Sequence, residues 1–145
     1  MKKIVVDTHV GSYGVIIRDR KIALIKKARG GYKGLYDLPG GGIEHDETPL
    51  EALTRELMEE IGVSVVKAEL LDAVSKTFKW DMNDKLIQDL HHIGILYRVE
   101  IENDELKVSA DGLDSLGGEW KDIDKVKEED VSPFTWMALK KLGYK

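Results

Sequence analysis

The residues able to do chemistry crowd into one stretch. Between Pro39 and Val63 the sequence "PGGGIEHDETPLEALTRELMEEIGV" holds seven carboxylates and one arginine. Glu56, Glu59 and Glu60 fall within five consecutive positions. On a helix, like charges three and four apart repel by about 0.2–0.5 kcal/mol per pair. Acids placed this way need open water or a cation. A hard divalent cation takes carboxylate and carbonyl oxygens, and Gly40-Gly41-Gly42 would let a backbone approach the acids and present its carbonyls. A solvated acidic helix face is the competing explanation, because runs of charge usually face water.

A helix must position these acids, and its ends are marked. Thr48-Pro49-Leu50-Glu51 predicts a start, with Thr48 as N-cap, Pro49 at the first helical position and Glu51 completing a capping box. Gly62 is placed to close the helix in a left-handed conformation. At 100° per residue, Leu50, Leu53, Leu57 and Ile61 fall on an arc roughly 80° wide, the expected core face. Glu60, Glu56 and Glu59 occupy the neighbouring arc of about 100°. Glu51 and Arg55 lie beyond them, spaced for an i, i+4 ion pair.

The spacing of the whole stretch resembles the signature of the Nudix family, G-x5-E-x7-R-E-U-x-E-E-x-G-U, with U a bulky aliphatic residue. Gly41, Glu47, Arg55, Glu56, Leu57, Glu59, Glu60, Gly62 and Val63 fill every fixed position. The likeness extends to "GLYDLPGGGIE" before the box, to Glu119-Trp120 and to "SPF" at Ser132, with "MKKIVVDT" and residues 81–90 the least anchored. The resemblance implies hydrolysis of a nucleoside diphosphate linked to another moiety, using Mg²⁺ or Mn²⁺. It implies Glu56, Glu59 and Glu60 as metal ligands and catalytic acids, with a backbone carbonyl of Gly40 or Gly41 beside them. It implies Arg55 and Glu47 as residues that orient the acids. Asp114 occupies roughly the place of a loop acid that joins the metal site in MutT-like relatives, and Asp111 and Glu119 are neighbouring candidates; a polar surface turn is the alternative for all three.

Substrate contacts are less marked. Lys26, Lys27, Arg29 and Lys33 are candidate phosphate ligands. Phe78 and Trp80, with Tyr13 and Tyr32, are candidate stacking partners for a base. Adjacent strand residues point to opposite faces, so His91-His92 is not expected to bind one metal but to be structural or line a pocket. Trp120 and Trp136 are expected in the core.

The remaining chain must supply the scaffold. "SYGVIIRD" and "KIALIKKA" read as strands of a hairpin with Asp19 near its turn. "RGGYKGLYD" reads as a loop. Residues 63–80 and "HHIGILYRVEI" read as strands, with Ile93, Ile95, Tyr97, Val99 and Ile101 alternating onto one face. Ser132-Pro133 opens a last helix that Gly143 could close. This order predicts one α/β domain over residues 1–145: an α/β/α sandwich with a mixed sheet and the loop–helix of the Nudix type.

Composition sets the outer bounds. The 145 residues include 42% hydrophobic and 34% charged residues, an ordinary globular balance. A formal net charge of −5 argues against a nucleic-acid backbone as partner. The absence of cysteine excludes disulfides and thiolate metal sites and is compatible with the cytoplasm. No apolar run suits a membrane span or a signal peptide. The expected partner is a small nucleotide, and a homodimer is left open. A MutT-like nucleoside triphosphate pyrophosphatase is the leading expectation. An ADP-ribose or nucleotide-sugar pyrophosphatase and a non-catalytic nucleotide-binding module are the alternatives, and an acidic Ca²⁺-binding or interaction domain stands further off.

Overall fold

The computed structural model describes residues 1–107 and 115–145. In chain order it contains β1 (Lys3–Val15), β2 (Ile17–Arg18), β3 (Lys21–Lys27), β4 (Tyr36–Asp37), β5 (Gly40–Gly42), α1 (Pro49–Ile61), β6 (Val65–Asp81), β7 (Leu86–Ile101), β8 (Ser115–Asp122) and α2 (Pro133–Lys141). Single 3₁₀ turns lie at Ile123–Lys125 and Glu128–Asp130.

The strands form two sheets. One has the order β5-β1-β7-β6 and is mixed, because β1 and β7 run parallel while the other pairs are antiparallel. The second joins β2, β3 and β4, with β8 pairing β3. Side-chain alternation then separates two cores. On β3, Ile22 and Leu24 join Phe134, Ala138 and Leu139 of α2, whereas Ala23 and Ile25 join Leu53, Leu57 and Ile61 of α1. With one helix on each side, this is the expected α/β/α sandwich.

β7 shows the same division. Tyr97, Val99 and Ile101 pack toward α1, while Leu96 packs toward α2 and His92 lies against Phe134. The expected alternation is present, but the opposite parity is buried as well, because both faces are covered. β6 runs close to its expected limits, but β7 begins earlier than expected and pairs with it as a long hairpin, with Leu86–Leu90 already in the strand. "LIQDL" lacks the apolar run that would have marked it from sequence.

α1 forms as its ends dictate. The Thr48 side chain accepts from the Glu51 N–H and the Glu51 carboxylate accepts from the Thr48 N–H, each at 3.1 Å. Gly62 closes the helix at φ 68°, a left-handed conformation that costs a Cβ-bearing residue energy. Two expectations fail. Leu50 is 46% exposed rather than core, and Ala52 is buried in its place. In the first turn the chain is still leaving the loop, so angular position alone does not decide burial. Glu51 is spent on the cap, so Arg55 pairs elsewhere. Ser132 caps α2 as expected, and Gly143 follows the helix end at φ 83°. Trp120 and Trp136 are half-buried at the margins of the two cores rather than inside them.

Candidate active site

The glycine loop and α1 are locked together around the acids. Ser12 Oγ donates to the Pro49 carbonyl at 2.7 Å, tying the helix start to β1. β5 pairs with β1, setting Gly41 opposite Ser12 and Gly40 opposite Tyr13. Gly41 lies so near Glu56 that an added Cβ would stand 2.7 Å from its carboxylate. At Gly40 a Cβ would overlap the Ser12 carbonyl. Its N–H donates to Glu60 Oε1 at 2.9 Å. Bare backbone at both positions is therefore a steric requirement.

Arg55 organises the acids. Its Nε and Nη2 donate to the two Glu47 oxygens at 2.6 and 2.9 Å, and Nη2 also donates to the Gly42 carbonyl at 3.0 Å. Nη1 donates to Glu56 at 2.9 Å and Glu59 at 3.3 Å. The hydrogen bonds from Arg55 hold the Glu47 carboxyl down at about 2, and those from Glu47 push the guanidinium up. One guanidinium thus fastens the loop to the helix and faces two of the clustered acids.

Glu60 differs from its neighbours. It is 5% exposed, and burial pushes its carboxyl up to about 8 against the opposing Gly40 N–H. The clustered acids suit a hard divalent ion: their donors are carboxylates, with backbone brought against Glu56. Among the described residues, however, no three carboxylate or imidazole groups converge on one ion position. Glu56 and Glu59 are turned to Arg55, and Glu60 to Gly40. Holding an ion would require those carboxylates to turn away from these bonds.

Beside the acids opens a cleft of about 860 Å³. Its lining includes Tyr13, Lys27, Arg29, Tyr32, Lys33 and Asp37 near the loop, and Asp7, Phe78, Trp80 and Gln88 further out. Lys27, Arg29 and Lys33 therefore line the cleft. Lys26 does not; its ammonium stands 5.7 Å from the centre of the Tyr36 ring, since successive strand residues alternate in direction. Phe78 stacks on Tyr32 at 5.1 Å, so it props the loop as well as lining the cleft. Trp80 donates from Nε1 to Gln88 at 2.7 Å, and Gln88 donates to Asp7 at 3.1 Å.

His92 is the buried pivot of this wall. Tyr13 Oη is 2.7 Å from its Nε2 and Tyr32 Oη is 2.9 Å from its Nδ1. Burial lowers its pKa to about 3, so the ring is neutral, with one nitrogen donating and the other accepting. His91 is exposed, as alternation required. Asp37 was missed from sequence. It is buried at the cleft, accepts from Ser132 Oγ at 2.5 Å and from the Leu38 N–H at 2.8 Å, and burial raises its pKa. Asp7 and Gln88 were missed too, and only strand register identifies them. Glu119 lies 3.4 Å from both Lys121 and Tyr36 Oη. Asp111 and Asp114 lie outside the described residues.

A family model described as the NUDIX domain matches residues 8–142. The chain belongs to the NUDIX family. Among solved structures, a MutT NUDIX hydrolase from Burkholderia pseudomallei aligns over 94% of this chain and 98% of its own, at a TM-score of 0.75 and 28% identity. A MutT protein from Methanosarcina mazei aligns over 92% and 91%, at 0.68 and 19%, a likeness of fold. An ADP-ribose pyrophosphatase from Methanocaldococcus jannaschii is 33% identical over 102 residues, 70% of this chain and 56% of that protein. An 8-oxo-dGTP diphosphatase from Proteus vulgaris is 51% identical over 45 residues, 31% and 40%. The chain spans about half the length of the curated relatives it matches. No helix of the described residues is long and apolar enough to cross a membrane.

Proposed function

We propose that this NUDIX chain hydrolyses the pyrophosphate bond of a nucleoside diphosphate derivative with a divalent cation, Mg²⁺ or Mn²⁺. The observation that carries the reading is the close seating of the Gly40-Gly41 backbone on the Glu56 and Glu60 carboxylates, next to a cleft of nucleotide size. Glu56, Glu59 and Glu60, with a carbonyl of Gly40 or Gly41, are the residues that would hold the ion; Asp114 is a further candidate. The ion would supply charge neutralisation on the pyrophosphate and a more acidic water.

The chain's own groups do the rest. Arg55 and Glu47 set the orientation of Glu56 and Glu59. Lys27, Arg29 and Lys33 meet the phosphates, and Trp80 with the Tyr32–Phe78 pair forms an aromatic wall for the base. A buried carboxylic acid with a raised pKa, such as Glu60, is suited to exchange a proton near neutral pH.

The finer reading is a MutT-like nucleoside triphosphate pyrophosphatase releasing monophosphate and pyrophosphate, supported by the near-complete overlap with the Burkholderia structure. ADP-ribose is the second reading, favoured by the 102-residue match to an ADP-ribose pyrophosphatase. Nucleoside triphosphates, ADP-ribose and nucleotide sugars should be assayed with and without Mg²⁺, in ¹⁸O-water. The expected result is metal-dependent cleavage with label on phosphate. Turnover unaffected by chelation, or label on ribose carbon, would sink the mechanism. Orthophosphate as the first product from a triphosphate would sink the MutT-like reading alone.

A further inference from the structure

The first half of β1 stands apart from the core. Residues 1–10 are all exposed, yet Lys3 through His9 keep an unbroken parallel register with Leu86 through His92 of β7. Their other edge has no strand partner among the described residues, because β5 pairs only with Gly11, Ser12 and Tyr13. Within a strand, alternate residues direct both N–H and C=O to the same side. The Lys3 N–H bonds to Lys85 on the β7 side, whereas the Val10 carbonyl accepts from Ile43 on the β5 side. Ile4, Val6 and Thr8 therefore present their backbone groups along the open edge. Ile4 is 51% and Val6 76% exposed on one face of it. A long apolar edge of this kind is a template for another strand.

The sequence of that edge is complementary to itself. In an antiparallel pairing of two copies centred on Val5, Ile4 faces Val6 as a hydrogen-bonded pair, and both residues have the outward backbone groups such a pair needs. Lys3 then faces Asp7, twice by symmetry, where side chains approach most closely. Shifting the centre to Ile4 or Val6 keeps a two-fold but loses both charge pairs. Of these registers only the Val5 one joins apolar to apolar and cation to anion from Lys3 to Asp7.

We propose that this edge is an interaction surface for a second copy of the same chain, forming a two-fold dimer through β1 in the Val5-centred register. The interface is isologous, so it closes at two copies. Asp7 lines the cleft, so Lys3 of the second copy comes to stand at the mouth of the first copy's cleft. The Asp7 carboxylate has room for it, since its recorded partners are the Thr8 N–H and the Gln88 amide. A five-residue strand pair, Lys3–Asp7, is small beside the roughly 1,200–2,000 Å² of a standard interface, so the dimer should dissociate on dilution.

Sedimentation velocity over a micromolar to near-millimolar series tests the register itself. The parent chain should pass from monomer to dimer. Lys3→Asp and Asp7→Lys each place like charges opposite one another and should weaken dimerisation about tenfold or more. Mixing these two variants should produce a heterodimer, since each then faces the opposite charge, and the double variant Lys3→Asp/Asp7→Lys should dimerise again. Val6→Pro removes an outward N–H without touching the β7 ladder and should give a folded monomer by circular dichroism. A parent that stays monomeric throughout overturns the proposal and leaves the edge to another chain. Single charge variants that dimerise like the parent, or a mixture of them that stays monomeric, overturn it as well.

Discussion

The acid cluster on α1 and the aromatic wall of the cleft are built in opposite ways. Around Arg55 every recorded side-chain partner lies within thirteen residues of it: Gly42, Glu44, Glu47, Glu56 and Glu59. The cleft wall joins Asp7 to Gln88, 81 residues away, and Tyr32 to His92, 60 residues away. The first region is a loop and helix whose arginine–acid contacts follow from spacing, anchored to β1 through Ser12 and the β5 pairing. The second exists only where three strands lie side by side. On the proposed function, acids held by local contacts can keep their role while the wall that would meet the rest of the substrate changes.

This contrast is sharpest in its extreme case. Replacing Glu56 with Gln removes a carboxylate seated on Gly41 and held by Arg55. It should lower turnover by orders of magnitude with the circular dichroism spectrum unchanged. Near-normal metal-dependent turnover in that variant would break the division between the two regions. A smaller effect separates the acids from one another. With metal chelated, buried Glu60 titrates at about 8 in the fold, against an ordinary 4.5. The folded state therefore keeps its proton while the unfolded chain loses it, and stability falls as pH rises between these two values. The slope is at most about 1.4 kcal/mol per pH unit. Urea titrations of the parent and of Glu60→Gln should differ in this slope; parallel pH profiles would show that Glu60 is solvated.

The wall should respond differently. Trp80→Ala removes one aromatic face and frees Gln88, and should raise KM by about tenfold, a stacking contact being worth about 1–3 kcal/mol, with little change in kcat. A fall in kcat with KM unchanged would place Trp80 at the reacting centre instead. The smallest effect belongs to the helix start. Thr48→Ala deletes one capping bond and should cost about 1 kcal/mol, lowering Tm by about 3 °C. An unchanged Tm would mean that Ser12 and the loop, rather than the cap, hold the start of α1.

The legible features were those whose partners lie within twenty residues along the chain. The cap at Thr48, the left-handed Gly62, the seating of the glycine loop and the pairing of Glu47 with Arg55 all involve short separations. Steric and hydrogen-bonding rules act on such contacts whatever the rest of the chain does. Leu50 and the Glu51–Arg55 pair mark the limit even there: a wheel assigns angle, but the entry of the chain into α1 decides which side is covered and which acid the cap consumes.

Sequence by itself determined the family, the helix with its ends, strands β3 and β6 with the second half of β7, and the identity of the clustered acids, because each rests on periodicity or on fixed spacing. Tertiary structure alone decided that Lys27 and not Lys26 meets the cleft, that Phe78 is engaged with Tyr32, and that Asp37, Asp7 and Gln88 belong to the same wall. The physical reason is strand pairing. A shift of one residue in register turns every side chain to the other face. The registers of β1, β6 and β7 are set by two cores formed from the whole chain, not by the strands themselves.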